Sequence, residues 1–129
     1  MKRPIRIERI GKARRGYRVL ITWRRPPDSH ARRIMDAWIP ELAPSHILRW
    51  RYDSGIYSWG TFLRGYGSEL RYPFSQNILK PLALLSRRRV LVLLCDCADA
   101  AQCHHKLVAR VVAGCRRRRN FTLRLGRSS

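Results

Sequence analysis

Alternating and continuous apolar runs predict four short β-strands. They lie at about 5–10, 17–23, 89–95 and 121–125, the last of them as an edge strand. Short runs rich in Val, Ile and Leu and bounded by Gly, Pro or charged residues are typical of strands. The segment 24–28, Arg-Arg-Pro-Pro-Asp, ends the second strand because proline cannot donate a hydrogen bond to a sheet.

A second periodicity, of three to four residues, predicts four helices. Ser45 occupies the N-cap position of the first, and apolar residues at helical spacing from Trp59 to Leu70 form the second, which Pro73 ends. The third begins at about Ser75, and the fourth runs from about Gln102 to Cys115. The aromatic members of the second helix are predicted to be core residues.

This order of elements predicts an α/β fold. We expect a single three-layer domain over residues 1–115, with a small mixed or parallel sheet flanked by helices, followed by a basic C-terminal segment over 116–129. A chain of 129 residues buries a sizeable core without disulfides or metal. It has neither an apolar run of about 18 residues nor an export signal, so we expect a cytoplasmic protein without membrane contact.

The charge of the chain changes this picture, because 28 basic residues face only 8 acidic ones, for a formal net charge of +20. Such a field attracts polyanions, and arginine suits bidentate contact with phosphate. The other interpretation is that the genome, such as that of a thermophile, uses arginine in place of lysine throughout. Two clusters favour binding of nucleic acid or a nucleotide: Arg87, Arg88 and Arg89, and then Arg116, Arg117, Arg118 and Arg119.

The densest chemistry of the chain lies over 95–105, which holds three cysteines and two histidines between a strand and a helix. Helical projection places His104 on the apolar face of the last helix, pointing toward the sheet. A helix N-terminus lowers a thiol pKa, so Cys103 is expected to have thiolate character. We predict Cys103 and His104 as the catalytic residues of any reaction. The alternative is that His104 is a hydrogen-bonded core histidine and the thiols simply pack.

Ligands of open α/β sheets bind beyond the carboxyl ends of the strands. The second strand ends near Arg24 and Arg25, and the third at Cys95 and Asp96, with the last helix starting soon after. We therefore expect Arg24 or Arg25 to share one cavity with Cys95, Cys103 and His104, and we add Asp96 and His105 to the ligand-binding residues. Binding of an anionic ligand is the leading function. The alternative is a small enzyme in which Cys103 and His104 act on a phosphate-bearing substrate.

A zinc site is a third interpretation of the same segment, with Cys95, Cys97, Cys103 and one histidine as ligands. The spacing C-x-C-x5-C-H-H is not a usual zinc signature, because the thiols of a zinc knuckle are separated by two or more residues. We therefore expect no metal and no cofactor. The P-loop, the Gly-x-Gly-x-x-Gly turn, the Gly-x-Ser-x-Gly elbow and the His-Glu-x-x-His motif are all absent.

Several of these stretches resemble one known family. The chain is similar to domain-of-unknown-function family 488, the YeaO-like family, from Ile5 to Val112. The residues that carry the likeness are Arg9-Ile10-Gly11, Gly16-Tyr17-Arg18-Val19-Leu20-Ile21, Asp36-Ala37-Trp38-Ile39-Pro40-Glu41-Leu42-Ala43-Pro44-Ser45, Trp59, Phe62, Tyr66, Glu69-Leu70 and Cys103-His104. The resemblance implies a compact cytosolic α/β fold and implies no reaction.

The chain departs from this family after the second strand. Family members often have an Asp-Arg-Leu-Trp-Pro-Arg-Gly-like turn there, whereas this chain has Thr-Trp-Arg-Arg-Pro-Pro-Asp over 22–28. Any role of the family's aspartate therefore does not transfer to Thr22. The more basic turn favours anion binding over catalysis.

Overall fold

The computed structural model describes residues 5–11, 15–24, 34–95 and 103–117. In these residues four strands, four α-helices and one 3-10 helix follow one another. They are β1 (Ile5–Arg9), β2 (Tyr17–Leu20), β3 (Ala37–Trp38), the 3-10 helix Pro40–Leu42, α1 (His46–Asp53), α2 (Trp59–Arg71), α3 (Pro73–Leu85), β4 (Leu91–Cys95) and α4 (His105–Arg117).

The four described strands form one parallel sheet in the order β1-β4-β2-β3. Leu91 pairs with Ile5 on one side and with Tyr17 on the other, so β4 lies between the first two strands of the chain. The predicted α/β class with a sheet flanked by helices is confirmed, and of the two sheet types expected the described strands form the parallel one.

Different groups of residues pack against the two faces of the sheet. Alternate residues of β2 and β4 point to opposite faces because successive strand residues alternate in direction. On one face the apolar residues pack into a cluster with residues of the four described α-helices. On the other face Leu20, Val92 and Leu94 pack, among the described residues, against Ile10, Met35, Trp38 and Val90.

Several boundaries differ from those predicted. The strand β3 was not expected, because two residues show no periodicity. Helix α3 begins at Pro73, which occupies its first turn where a missing N–H costs nothing. Helix α4 begins at His105 and continues through Arg116 and Arg117, so it crosses the predicted start of the basic segment. The predicted edge strand at 121–125 lies outside the described residues.

Ser45 caps α1 as predicted and also ties this helix to α2. Its hydroxyl accepts a hydrogen bond from the backbone N–H of Leu48 and donates one to Glu69 of α2. The other carboxylate oxygen of Glu69 accepts from the backbone N–H of Ser45 at 2.9 Å. The buried Tyr66 hydroxyl donates to the carbonyl of Leu42, which fixes α2 against the preceding turn. Each helix in the described part of the chain is too short or too polar to cross a lipid bilayer.

A carboxylate holds β3 against β2. Asp36 accepts hydrogen bonds from the backbone N–H and the Nε of Arg18, at 2.8 and 3.1 Å. The hydrogen bond from the Arg18 side chain, more than any other cause, holds the pKa of Asp36 below its usual value. A carboxyl whose pKa is lower in the folded state than in the unfolded state stabilises the fold above its unfolded pKa, and this contribution is lost as the pH falls.

We therefore expect Asp36→Asn to lower the free energy of unfolding at pH 7 by about 1 kcal/mol, a modest value because the carboxylate is 33% exposed. Urea unfolding at several pH values measures this difference, which should shrink toward zero below about pH 4. The control is Asp53→Asn, because Asp53 pairs with Arg49 only on the surface of α1 and should contribute about 0.5 kcal/mol or less. Equal losses in the two variants would contradict the role of Asp36.

Candidate functional site

Two thiols and an imidazole meet at the carboxyl end of β4. Cys95 is the last residue of β4, and the Sγ atoms of Cys95 and Cys103 are 3.2 Å apart. The Sγ of Cys103 is 3.6 Å from the Nδ1 of His105. All three side chains are buried, and one nitrogen or sulfur atom of each lies within 4.8 Å of the others. We call these three residues the thiol–imidazole cluster.

The phase of α4 explains why His105 belongs to this cluster. The buried residues His105, Val108, Val112 and Arg116 follow one another at intervals of three or four positions, so they form one stripe along the helix. The helical projection of the sequence centred the buried face on His104 instead. His104 precedes the first helical residue, and its ring contacts that of His105 at a centroid distance of 4.2 Å.

His104 packs into the aromatic core. Its side chain is only 6% exposed and contacts the rings of Tyr66 and Phe62 edge-on, with centroids 5.5 and 6.5 Å away. Burial, and to a lesser degree the nearby His105 and Arg49, lowers the pKa of His104 to about 3. The imidazole is therefore neutral at pH 7. Its catalytic role stays a prediction, and its burial and low pKa argue against it, because a general acid or base acts best with a pKa near the working pH.

The predicted strand-end cavity, with Arg24 or Arg25 beside Cys95, Cys103 and His104, stays a prediction. Arg24 is exposed just beyond β2, and it does not line the cleft that Cys103 lines. Cys95 and His104 do not line that cleft either. The physical reason is that both side chains are buried, Cys95 at the end of the central strand and His104 against aromatic rings. Arg25, Asp96 and Cys97 lie outside the described residues.

A different cleft opens between α2 and α4. It has a volume of about 480 Å³ and is lined by Trp59, Leu63, Arg64, Gly67, Ser68, Arg71, Cys103, Lys106, Leu107 and Arg110. Four of these side chains are cationic and exposed, and none of the described lining residues carries a carboxylate. A Cβ atom on Gly67 would lie 3.8 Å from Leu107, so the two helices approach closely at its floor. We call this the basic cleft.

The four cations of the basic cleft were not among the predicted site residues. Arg64 and Arg71 lie two turns apart on α2, and Lys106 and Arg110 lie one turn apart on α4. Each pair is visible in the sequence as cations at helical spacing on a polar face. The sequence does not show that the two faces adjoin, and the pairs therefore read as solvent-exposed charges.

The two arginine clusters differ in exposure. Arg87, Arg88 and Arg89 follow α3, and all three are exposed, as a nucleic-acid contact requires. Arg116 is 8% exposed, and its Nη1 donates to the buried hydroxyl of Ser86 at 3.4 Å. The contact of Arg116 with nucleic acid stays a prediction, and this burial argues against it, because the side chain lies in the protein interior. The structure does not describe the side chain of Arg117 or residues 118–129, so Arg118 and Arg119 are not placed.

Comparison with known proteins identifies one family. A family model described as the active DUF488-N3 subclade matches residues 3–114. The match confirms the family resemblance that the sequence motifs indicated, and it spans both the thiol–imidazole cluster and the basic cleft. No curated protein and no solved structure matches the chain.

The packing of His104 leads to a stability prediction. We expect His104→Ala to lower the free energy of unfolding by about 2–4 kcal/mol, because it leaves a cavity beside Tyr66 and Phe62. Chemical unfolding measures this loss. The control is His46→Ala, because His46 is exposed and stacks on the exposed Trp23, so its loss should cost about 1 kcal/mol or less. A stable His104→Ala protein would show that His104 is not a core residue.

Proposed function

The chain belongs to the DUF488 family, and from this premise we propose that the protein binds a phosphorylated ligand of nucleotide size in the basic cleft. The family assignment leaves ligand and reaction open, so the proposal depends on the side chains of the cleft. The observation that carries it is the set of four exposed cations without a carboxylate among the described lining residues.

Electrostatics favours an anion at this position. Lys106 and Arg110 are like charges at an i, i+4 spacing, which destabilises a helix by a few tenths of a kcal/mol when no anion is present. Arg64 and Arg71 add two positive charges from the facing helix. A bound phosphate removes this repulsion and accepts charge-assisted hydrogen bonds, which are the stronger kind. The arrangement is therefore better suited to an anionic ligand than to solvent alone.

The size and the apolar part of the cleft favour a nucleotide over a bare anion. A volume of about 480 Å³ lies within the usual range of small-molecule sites, roughly 300–1,000 Å³. Trp59, Leu63 and Leu107 provide an apolar wall, and the indole of Trp59 stacks on Phe62 at a centroid distance of 5.3 Å. An aromatic base has an apolar face for this wall, while its phosphates reach the cations.

The test is a binding measurement with a fluorescent adenine nucleotide at constant salt. We expect Arg64→Glu/Arg110→Glu to weaken binding at least about 100-fold, because each lost charge-assisted contact accounts for roughly tenfold. Arg87→Glu/Arg88→Glu is the matched control, since it changes the net charge equally but lies outside the cleft. It should change the affinity by about twofold or less.

Two results would contradict the proposal: no nucleotide binding at low salt, or an equal loss in both double variants. Equal loss together with oligonucleotide binding that weakens steeply with salt would instead support nucleic-acid binding over the whole +20 surface. The exposed Arg87, Arg88 and Arg89 would then contribute as the sequence predicts. The measurement therefore separates a defined cleft from a general electrostatic field.

A second candidate function is an enzyme acting on the same phosphorylated ligand. Cys103 lines the basic cleft, and its Sγ is 3.6 Å from the Nδ1 of His105. A thiol beside an imidazole is the pair that enzymes use as a nucleophile and its general base. His105 replaces the predicted His104 in this pair. The description of the matching subclade as active also supports it. Turnover of the bound nucleotide by the native protein and not by Cys103→Ser would favour this candidate.

A further inference from the structure

The thiol–imidazole cluster has the composition of a metal site as well as that of a catalytic pair. We propose that Cys95, Cys103 and His105 bind one Zn²⁺ ion through Sγ, Sγ and Nδ1. Thiolate and imidazole are the ligands that zinc prefers, whereas Mg²⁺ and Ca²⁺ require oxygen. This inference goes beyond the nucleotide-binding function and does not rest on it, because the two use different side chains apart from Cys103.

The distances between the donor atoms fit a tetrahedral ion. In a tetrahedral site, zinc–sulfur bonds are about 2.3 Å and zinc–nitrogen bonds about 2.05 Å long. Two sulfurs then lie about 3.8 Å apart, and a sulfur and a nitrogen lie about 3.6 Å apart. The observed separations are 3.2 Å between the sulfurs and 3.6 Å between the Sγ of Cys103 and the Nδ1 of His105. Binding of the ion therefore requires the two sulfurs to move about 0.6 Å further apart.

Burial and charge favour the bound form. The three side chains are 8%, 5% and 0% exposed, so an unbalanced charge among them would be costly. When zinc binds, each thiol loses its proton to solvent, and the two thiolates balance the two charges of the ion while His105 stays neutral. No net charge is therefore buried. Zinc binding therefore releases two protons for each ion.

Three protein ligands leave one tetrahedral position for water, which is the coordination found in catalytic rather than structural zinc sites. Cys103 also lines the basic cleft, so the ion would lie at the wall of that cleft. A thiolate bound to zinc is no longer available as a nucleophile. Zinc binding thus competes with the use of Cys103 and His105 as a catalytic pair.

The experiment uses the full chain purified without chelator or added metal. We expect elemental analysis to find about one zinc ion per chain, and calorimetry in two buffers to find about two protons released per ion. Replacement by Co²⁺ should give thiolate-to-cobalt absorption. Cys95→Ser and His105→Ala should each weaken zinc binding more than about 100-fold, since loss of even an outer hydrogen-bond partner costs 10–100-fold. Cys115→Ser is the control, because its thiol contacts Gln76 on α3 and should leave zinc binding unchanged.

Absence of bound zinc after incubation with the ion would overturn the proposal, as would zinc binding that survives in both Cys95→Ser and His105→Ala. A Cys95–Cys103 disulfide, detected as a mass two hydrogens lower in protein purified without reductant, would also overturn it. If the variants do not fold, the cobalt spectrum of the native chain decides the question. Arg64→Glu/Arg110→Glu should keep its zinc, so failure of nucleotide binding and failure of zinc binding give different results.

Discussion

The central position of β4 is the constraint on which the rest of the structure depends. All five residues, Leu91–Cys95, are buried, and the strand pairs with β1 and β2 in parallel along its length. The segments of the chain next to β4 must therefore pack closely against it. Gly16 shows how closely, because it has φ of +88° and a Cβ atom there would lie 2.7 Å from the carbonyl oxygen of Val90. At the other end of the strand, Cys95 is held at the edge where Cys103 and His105 converge.

Much of this fold could be predicted because its elements carry strong local patterns. The apolar run of β4, the aromatic stripe of α2 and the cap at Ser45 each identify an element from a few neighbouring residues. The strand β3 was not predicted, because two residues are too few to show a periodic pattern. The order of the strands and the adjacency of α2 and α4 are properties of tertiary packing, so no local pattern contains them.

The candidate site was predicted less well, for a physical reason that Arg116 illustrates. Its position in a run of four arginines suggested a solvent-exposed charge, yet it lies four residues after the buried Val112 and so falls on the same helical face. Its guanidinium reaches Ser86 instead of solvent. The helical projection missed this stripe because it counted Leu107, Val111 and Cys115 on the buried face, whereas these three side chains are only half-buried. The apolar pattern therefore centred the predicted face on His104 and away from His105 and Arg116, which complete the buried stripe.

Cys103 links the two proposals through electrostatics. It belongs to the thiol–imidazole cluster and also lines the cleft that four cations surround. A thiolate there without a metal would attract those cations and compete with a phosphorylated ligand for them. With zinc bound, the two thiolate charges are balanced by the ion, and the positive field of Arg64, Arg71, Lys106 and Arg110 remains available to the ligand. A zinc-bound thiol–imidazole cluster therefore allows a phosphorylated ligand to bind in the basic cleft. Without zinc, a Cys103 thiolate competes with that ligand for the cations.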